Sequence, residues 1–171
     1  MTETREELVA HRLGRARETL ADARLLAEQK RWASCVNRLY YACFYAVSAL
    51  LLHRGLTSTK HTGIRSLFNR HFVKTGEISK ELGKIYNDLF ELRQESDYVD
   101  LVHFDKGQVL PWVEPAELFL ERIEDLATAD TPPEVATADD SNEKGTEEDS
   151  LIVSAETAKA TEMKARGSSK G

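Results

Sequence analysis

The chain has 171 residues and a formal net charge of −6, and every Phe, Tyr and Trp lies between Trp32 and Phe119. The part able to bury a core therefore ends near Thr128, and one domain is the natural count. No segment approaches the ~20 apolar residues a membrane-crossing helix needs, and the opening MTETREELVAHR is charged, unlike a signal peptide, so a cytoplasmic protein with no membrane contact is expected. Cys35 and Cys43 sit eight apart in an apolar stretch. Two thiols are too few for a disulfide scaffold, and this spacing suits neither a metal site nor a redox pair, so both are expected as buried core thiols, with no metal and no cofactor.

Taken in chain order, the pattern is helical throughout. Thr4 with Glu7 forms a capping box ahead of Val9, Leu13, Ala16, Leu20, Ala23 and Ala27, whose intervals of four and three mark an amphipathic helix. A second helix from about Arg31 to about Arg54 is apolar on more than one face, which predicts the central, most buried member, with Gly55 as its stop. A shorter helix from about Lys60 to about His71 carries Ile64, Leu67 and Phe68, and Lys74-Thr75-Gly76 supplies a turn. Ser79 caps a fourth helix, in which Leu82, Ile85, Tyr86, Leu89 and Phe90 face inward, running to about Tyr98. Pro111 and Pro115 lie in the path of the last helix, which either kinks or starts at Pro115. The expected fold is all-α, an antiparallel bundle of about five helices over residues 1–128.

The remainder, residues 129–171, has a different composition. From Ala127 onward there is no aromatic residue, ten acids stand against five bases, and the one apolar run is Leu151 to Val153. Such a segment cannot offset its ordering entropy and is expected to be a disordered acidic tail. The tail carries most of the net charge. Between Glu28 and Glu77 there is no acid at all, yet eight Lys and Arg residues and three His residues fall there. Such an interval favours phosphate groups locally, although burial of the second helix also accounts for its lack of acids.

Two clusters within this pattern could carry chemistry. The first opens the third helix with Ser58, Thr59, Lys60, His61, Thr62 and Gly63, followed by Arg65. Backbone N–H groups and cationic or imidazole side chains converge there at the positive end of a helix dipole, a plausible anion site, although capped helix starts are commonplace. The second is LRQESDYVD, where Arg93 and Asp97 are four apart and can pair on one helix face, with Tyr98 at the helix end. Intrahelical pairing is its simpler reading. Tyr40, Tyr41, Phe44 and Tyr45 of the second helix read as packing, with Tyr41 the one to test for a polar role, since Asn37 lies one turn before it.

NRLYYACFYAVSALL, TKHTGIRSLFNRHFVKTGEI and LRQESDYVD, in that order and spacing, resemble the HEPN family, the higher-eukaryote and prokaryote nucleotide-binding domains, and its small free-standing prokaryotic members in particular. The resemblance covers about residues 5 to 127. It implies a bundle of about five helices, a homodimer, and a place among RNA-targeting toxins, defence systems and partners of minimal nucleotidyltransferases. Active members resemble metal-independent ribonucleases with an Arg, four to six residues, then a His. An imidazole there moves the proton of the RNA 2′-hydroxyl while a guanidinium holds the phosphate. Arg93 matches the Arg and Gln94 the polar residue after it, but Asp97 and Tyr98 stand where the His belongs. Arg65 with His71 and Arg54 with His61 satisfy the spacing, yet neither pair lies in the motif helix.

The leading expectation is thus a non-catalytic or altered HEPN protein that binds RNA, a nucleotide or a nucleotidyltransferase partner. Its groove would be lined by Lys60, His61, Arg65, Arg93, Asp97 and Tyr98, with Asn37 and Tyr41 behind. The rival is a toxin ribonuclease using Arg93 with Tyr98, Asp97 or a His from another segment. A third reading is a structural dimerisation module, because the second helix offers more apolar surface than a thin bundle covers easily.

Overall fold

The computed structural model describes residues 3–98 and 103–130; the expected disordered tail, apart from Ala129 and Asp130, lies outside them. Helix α1 spans Arg5–Glu28 and opens on the expected capping box, with Glu7 N–H donating to Thr4 Oγ1 at 3.2 Å and Thr4 N–H to Glu7 Oε2 at 2.7 Å. Val9, Leu13, Ala16, Leu20 and Ala23 are buried, as the periodicity requires. The helix stops at Lys30, which has φ +57. Arg31 N–H reaches back to the Leu26 carbonyl at 2.8 Å and Lys30 N–H to that of Ala27 at 3.0 Å, a Schellman closure with a lysine at the position glycine usually takes.

Helix α2, Trp32–His53, is the central member, with twelve residues of its length buried. It packs against α1 on one side and against the third, fourth and last helices on the others. Gly55, at φ +75, terminates it in the same way, with Leu56 N–H on the Leu51 carbonyl at 2.8 Å and Gly55 N–H on that of Leu52 at 3.0 Å. By length and composition α2 could cross a bilayer, its most apolar window having a mean hydropathy of 1.3, which corrects the reading that no segment comes close. Since 67% of that window is buried inside the bundle, its apolarity is that of a core helix. Cys35 and Cys43 are buried and free within it, and desolvation pushes the Cys35 thiol up to about 11.

The third helix departs from expectation in its second half. After α3, His61–Phe68, the chain widens into a π-helical turn, Asn69–Val73, closed by Lys74 N–H on the Asn69 carbonyl five residues back. Phe68 and Phe72 are both buried. Helix α4, Lys80–Tyr98, begins with Leu82 N–H on Ser79 Oγ at 3.1 Å, as expected. It approaches the π turn so closely that a Cβ on Gly83 would stand 2.6 Å from Val73 Cγ2.

The last helical segment starts earlier than Pro115. Asp105 and Gln108 form a capping box for α5, Lys106–Val109, which passes through a 3-10 turn at Leu110–Trp112 into α6, Val113–Thr128. Pro111 falls in the 3-10 turn and Pro115 in the first turn of α6, where a missing N–H costs no bond. The buried rings of Tyr40, Phe68, Tyr86 and Phe119 form the centre of the core, Tyr40 stacking on Tyr86 at 6.1 Å and 8°. Between Asn37 and Ser48 the chain's own helices cover α2 except along a stripe of half-buried residues, Asn37, Arg38, Tyr41, Phe44 and Tyr45. The large apolar side chains left exposed are Leu25, Leu110 and Leu118.

Candidate functional site

Tyr40 is the pivot of the site. It is fully buried, yet its hydroxyl reaches His61 Nδ1 at 3.0 Å at the start of α3, and its ring lies 5.1 Å from the Arg93 guanidinium of α4. Its neighbour Tyr41, half-buried, meets the same two groups. The His61 ring stands edge-on to it at 5.8 Å, and the Arg93 guanidinium lies 5.2 Å from its centre. Phe44, one turn on, stacks on His61 at 4.3 Å and 17°. An imidazole and a guanidinium some thirty residues apart in sequence therefore share one aromatic floor.

The electrostatics follow from this placement. Burial, and then the positive charge of Arg93, lowers the His61 pKa from its usual value, so the ring is neutral at neutral pH. With Nδ1 engaged by Tyr40, Nε2 is the nitrogen left for a ligand. Burial pushes the Tyr40 phenol up to about 12 against the opposing pull of Arg93, so it stays protonated. Arg93 Nε lies 2.9 Å from Asp97 Oδ2, ion-pair distance, but the direction of approach makes no hydrogen bond, and Nε is a buried donor without an acceptor. Arg93 itself keeps part of its side chain exposed.

The other expected residues divide. Asn37 does not bond to Tyr41. Its Oδ1 accepts two hydrogen bonds from Arg38, at 2.7 and 3.2 Å, and Arg38 in turn lies 5.3 Å from the Tyr41 ring. Lys60 is exposed at the N-cap of α3, where its N–H donates to Ser58 Oγ at 3.3 Å. Arg65 is drawn away from the cluster onto α4, donating to Asn87 Oδ1 at 2.9 Å and Glu91 Oε1 at 2.8 Å over the Phe90 ring. Asn69 and Asn87 exchange reciprocal amide bonds at 2.9 Å beside it. Asp97 is exposed, and the side chain of Tyr98 lies outside the described residues.

Tertiary contacts also change the reading of the acid-free interval. Arg54 pairs with Glu77 and Arg65 with Glu91, acids from outside the interval that partly neutralise it. Neither spacing decoy forms a pair of its own, since both arginines are committed elsewhere. The side chains missed in the sequence are Arg12 and Arg15 of α1, which reach Ser48 and Tyr45 of α2. Among the described residues, no three His, Cys, Asp or Glu side chains gather where they could share a metal ion.

A family model described as HEPN domain matches residues 9–126. A UPF0332 protein of Thermotoga maritima is 52% identical over 122 residues, covering 71% of this chain and 92% of its own length. A Methanocaldococcus jannaschii protein named as a candidate toxin is 35% identical over 109 residues, covering 63% of this chain and 80% of its own. Among solved structures, a Thermus thermophilus protein superposes with a TM-score of 0.60 at 18% identity, over 69% of this chain and 97% of its own, a likeness of fold.

Proposed function

Because the chain belongs to the HEPN domain family, we propose that it binds RNA or a nucleotide at the Tyr41, His61 and Arg93 cluster, in a toxin–antitoxin or defence setting. The convergence of His61 from α3 and Arg93 from α4 on the Tyr40 and Tyr41 rings carries this reading. A partly exposed guanidinium suits a phosphate, an aromatic floor suits a base, and His61 Nε2 adds a directional contact. The relatives named as candidate toxins support the setting. Homodimers and a nucleotidyltransferase partner belong to the same proposal through the family.

Binding of a short RNA and of AMP to the full chain tests it, alongside Arg93→Ala and Lys60→Ala. Loss of one charge-assisted contact, about 1.5–3 kcal/mol, makes Arg93→Ala at least tenfold weaker, with a smaller effect for exposed Lys60. If neither ligand binds, or Arg93→Ala binds like the parent, the proposal fails.

A second reading is favoured by one observation: an imidazole does stand beside Arg93, supplied by α3 and not by the motif helix. In the tautomer whose Nδ1–H donates to the Tyr40 oxygen, the neutral His61 ring leaves Nε2 unprotonated, able to take the proton from a ribose 2′-hydroxyl while that oxygen attacks the adjacent phosphorus. Arg93 then holds the developing charge, and a 2′,3′-cyclic phosphate and a 5′-hydroxyl end result, the latter protonated by solvent. Incubation of RNA with the parent and His61→Gln chains decides it, since RNA left intact by the parent removes this reading.

A further inference from the structure

We infer that the ligand site continues from Tyr41 along the outer face of α2 onto α1, as a track for several nucleotides of single-stranded RNA. This rests on the RNA or nucleotide reading above and extends it. Between Asn37 and Ser48, the residues of α2 that remain half-buried are Asn37, Arg38, Tyr41, Phe44 and Tyr45, which form a single stripe while the rest are buried. The rings along it are continuous, with Tyr41 to Tyr45 at 5.9 Å and Phe44 to Tyr45 at 5.8 Å. Arg15 lies 4.3 Å from the Tyr45 ring centre and donates to its hydroxyl at 2.9 Å. Arg12 donates to the Ser48 carbonyl at 3.0 Å.

The charge on this strip is what points to a polyanion. Ion pairs among the described residues engage Arg17, Arg24, Arg54, Arg65, Lys84 and Arg93. Arg12, Arg15 and Arg38 make none among them. Each is held by a neutral oxygen instead, with no carboxylate of the described residues within 4 Å of it. Guanidiniums laid along aromatic rings at helical spacing offer the two things a single strand needs, stacking surface and backbone attraction. From Tyr41 to Ser48 the helix rises about 10 Å at about 1.5 Å per residue. Stacked nucleotides rise about 3.4 Å each, so the track is several nucleotides long, and a mononucleotide occupies only the end at Arg93.

The test is a titration of fluorescein-labelled hexaadenylate RNA against the full chain over a series of salt concentrations, with AMP titrated separately. The expected result is that the hexamer binds at least tenfold tighter than AMP. Arg15→Ala, an exposed change that leaves the fold intact, weakens the hexamer roughly fivefold or more and reduces the salt slope by about 0.7 without altering AMP. If Arg15→Ala and Arg38→Ala both bind the hexamer with the parent affinity and slope while Arg93→Ala weakens it, the track is overturned and the ligand site at Arg93 stands. If Arg93→Ala is also without effect, both fall. A dimer in sedimentation that Arg15→Ala dissociates, with RNA binding unchanged, makes the strip a protein interface and likewise overturns the track.

Discussion

Tyr40→Phe deletes one oxygen from the fully buried residue that supports the site, and its effect can be worked out from the contacts. The ring stack on Tyr86 and the approach of Arg93 to the ring involve no hydroxyl, so both survive. What is lost is the 3.0 Å bond to His61 Nδ1, leaving a partly buried ring nitrogen without its partner. Such a loss costs about 1–2 kcal/mol, against about 3–5 kcal/mol for a truncation to Ala that also empties the core. Equilibrium urea unfolding of the parent, Tyr40→Phe and Tyr40→Ala chains measures both figures. Nitrogen NMR of His61 reports whether its tautomer balance changes in the Phe variant. A Phe variant as stable as the parent, with unchanged His61 resonances, would refute the claim that the hydroxyl holds the imidazole.

The remaining predictions concern backbone, packing and charge. Lys30 sits at φ +57, so Lys30→Gly relieves left-handed strain and raises unfolding free energy by about 1 kcal/mol; a lower value in urea melts counts against the Schellman closure. Gly83→Ala places a methyl against Val73 and destabilises by about 1–3 kcal/mol, and Val73→Ala in the same chain recovers part of the loss. His61 titrates below its usual value in proton NMR, and Arg93→Gln moves the midpoint upward, because the Arg93 charge is the second cause of the shift after burial. With the folded pKa depressed, the unfolded chain takes up the proton first. Stability is therefore unaffected above the unfolded value and declines as pH falls from there through the folded one.

What was legible in the sequence was what neighbours in the chain decide. The Thr4 and Glu7 box, the α1 stripe, the Gly55 stop and the central place of α2 each depend on residues within a few turns. The Asp105 and Gln108 box is equally local, and it starts the last helical segment ahead of both prolines. The π turn at Asn69–Val73 carries no local signal; its residues suit an α-helix equally well, and packing against Gly83 of α4 is a non-local circumstance. Lys30 gives no warning of a left-handed backbone. In the site, His61, Arg93 and Tyr41 were readable as chemistry, but their meeting over Tyr40 was not, since Tyr40 read only as core. Arg65 is bound by Asn87 and Glu91 of another helix, contacts that its own sequence neighbours do not foretell. Arg12 and Arg15 were missed for the complementary reason: their partners lie 36 and 30 residues away.

Tyr40 belongs at once to the innermost packing layer and to the support of His61 and Arg93. Local fraying that spares the hydrophobic interior therefore leaves these two groups where they are, and only cooperative melting scatters them. Amide exchange around Tyr40 should accordingly be as slow as anywhere in the molecule, and the proposed ligand would meet a surface already in place, with little chain entropy left to lose on arrival.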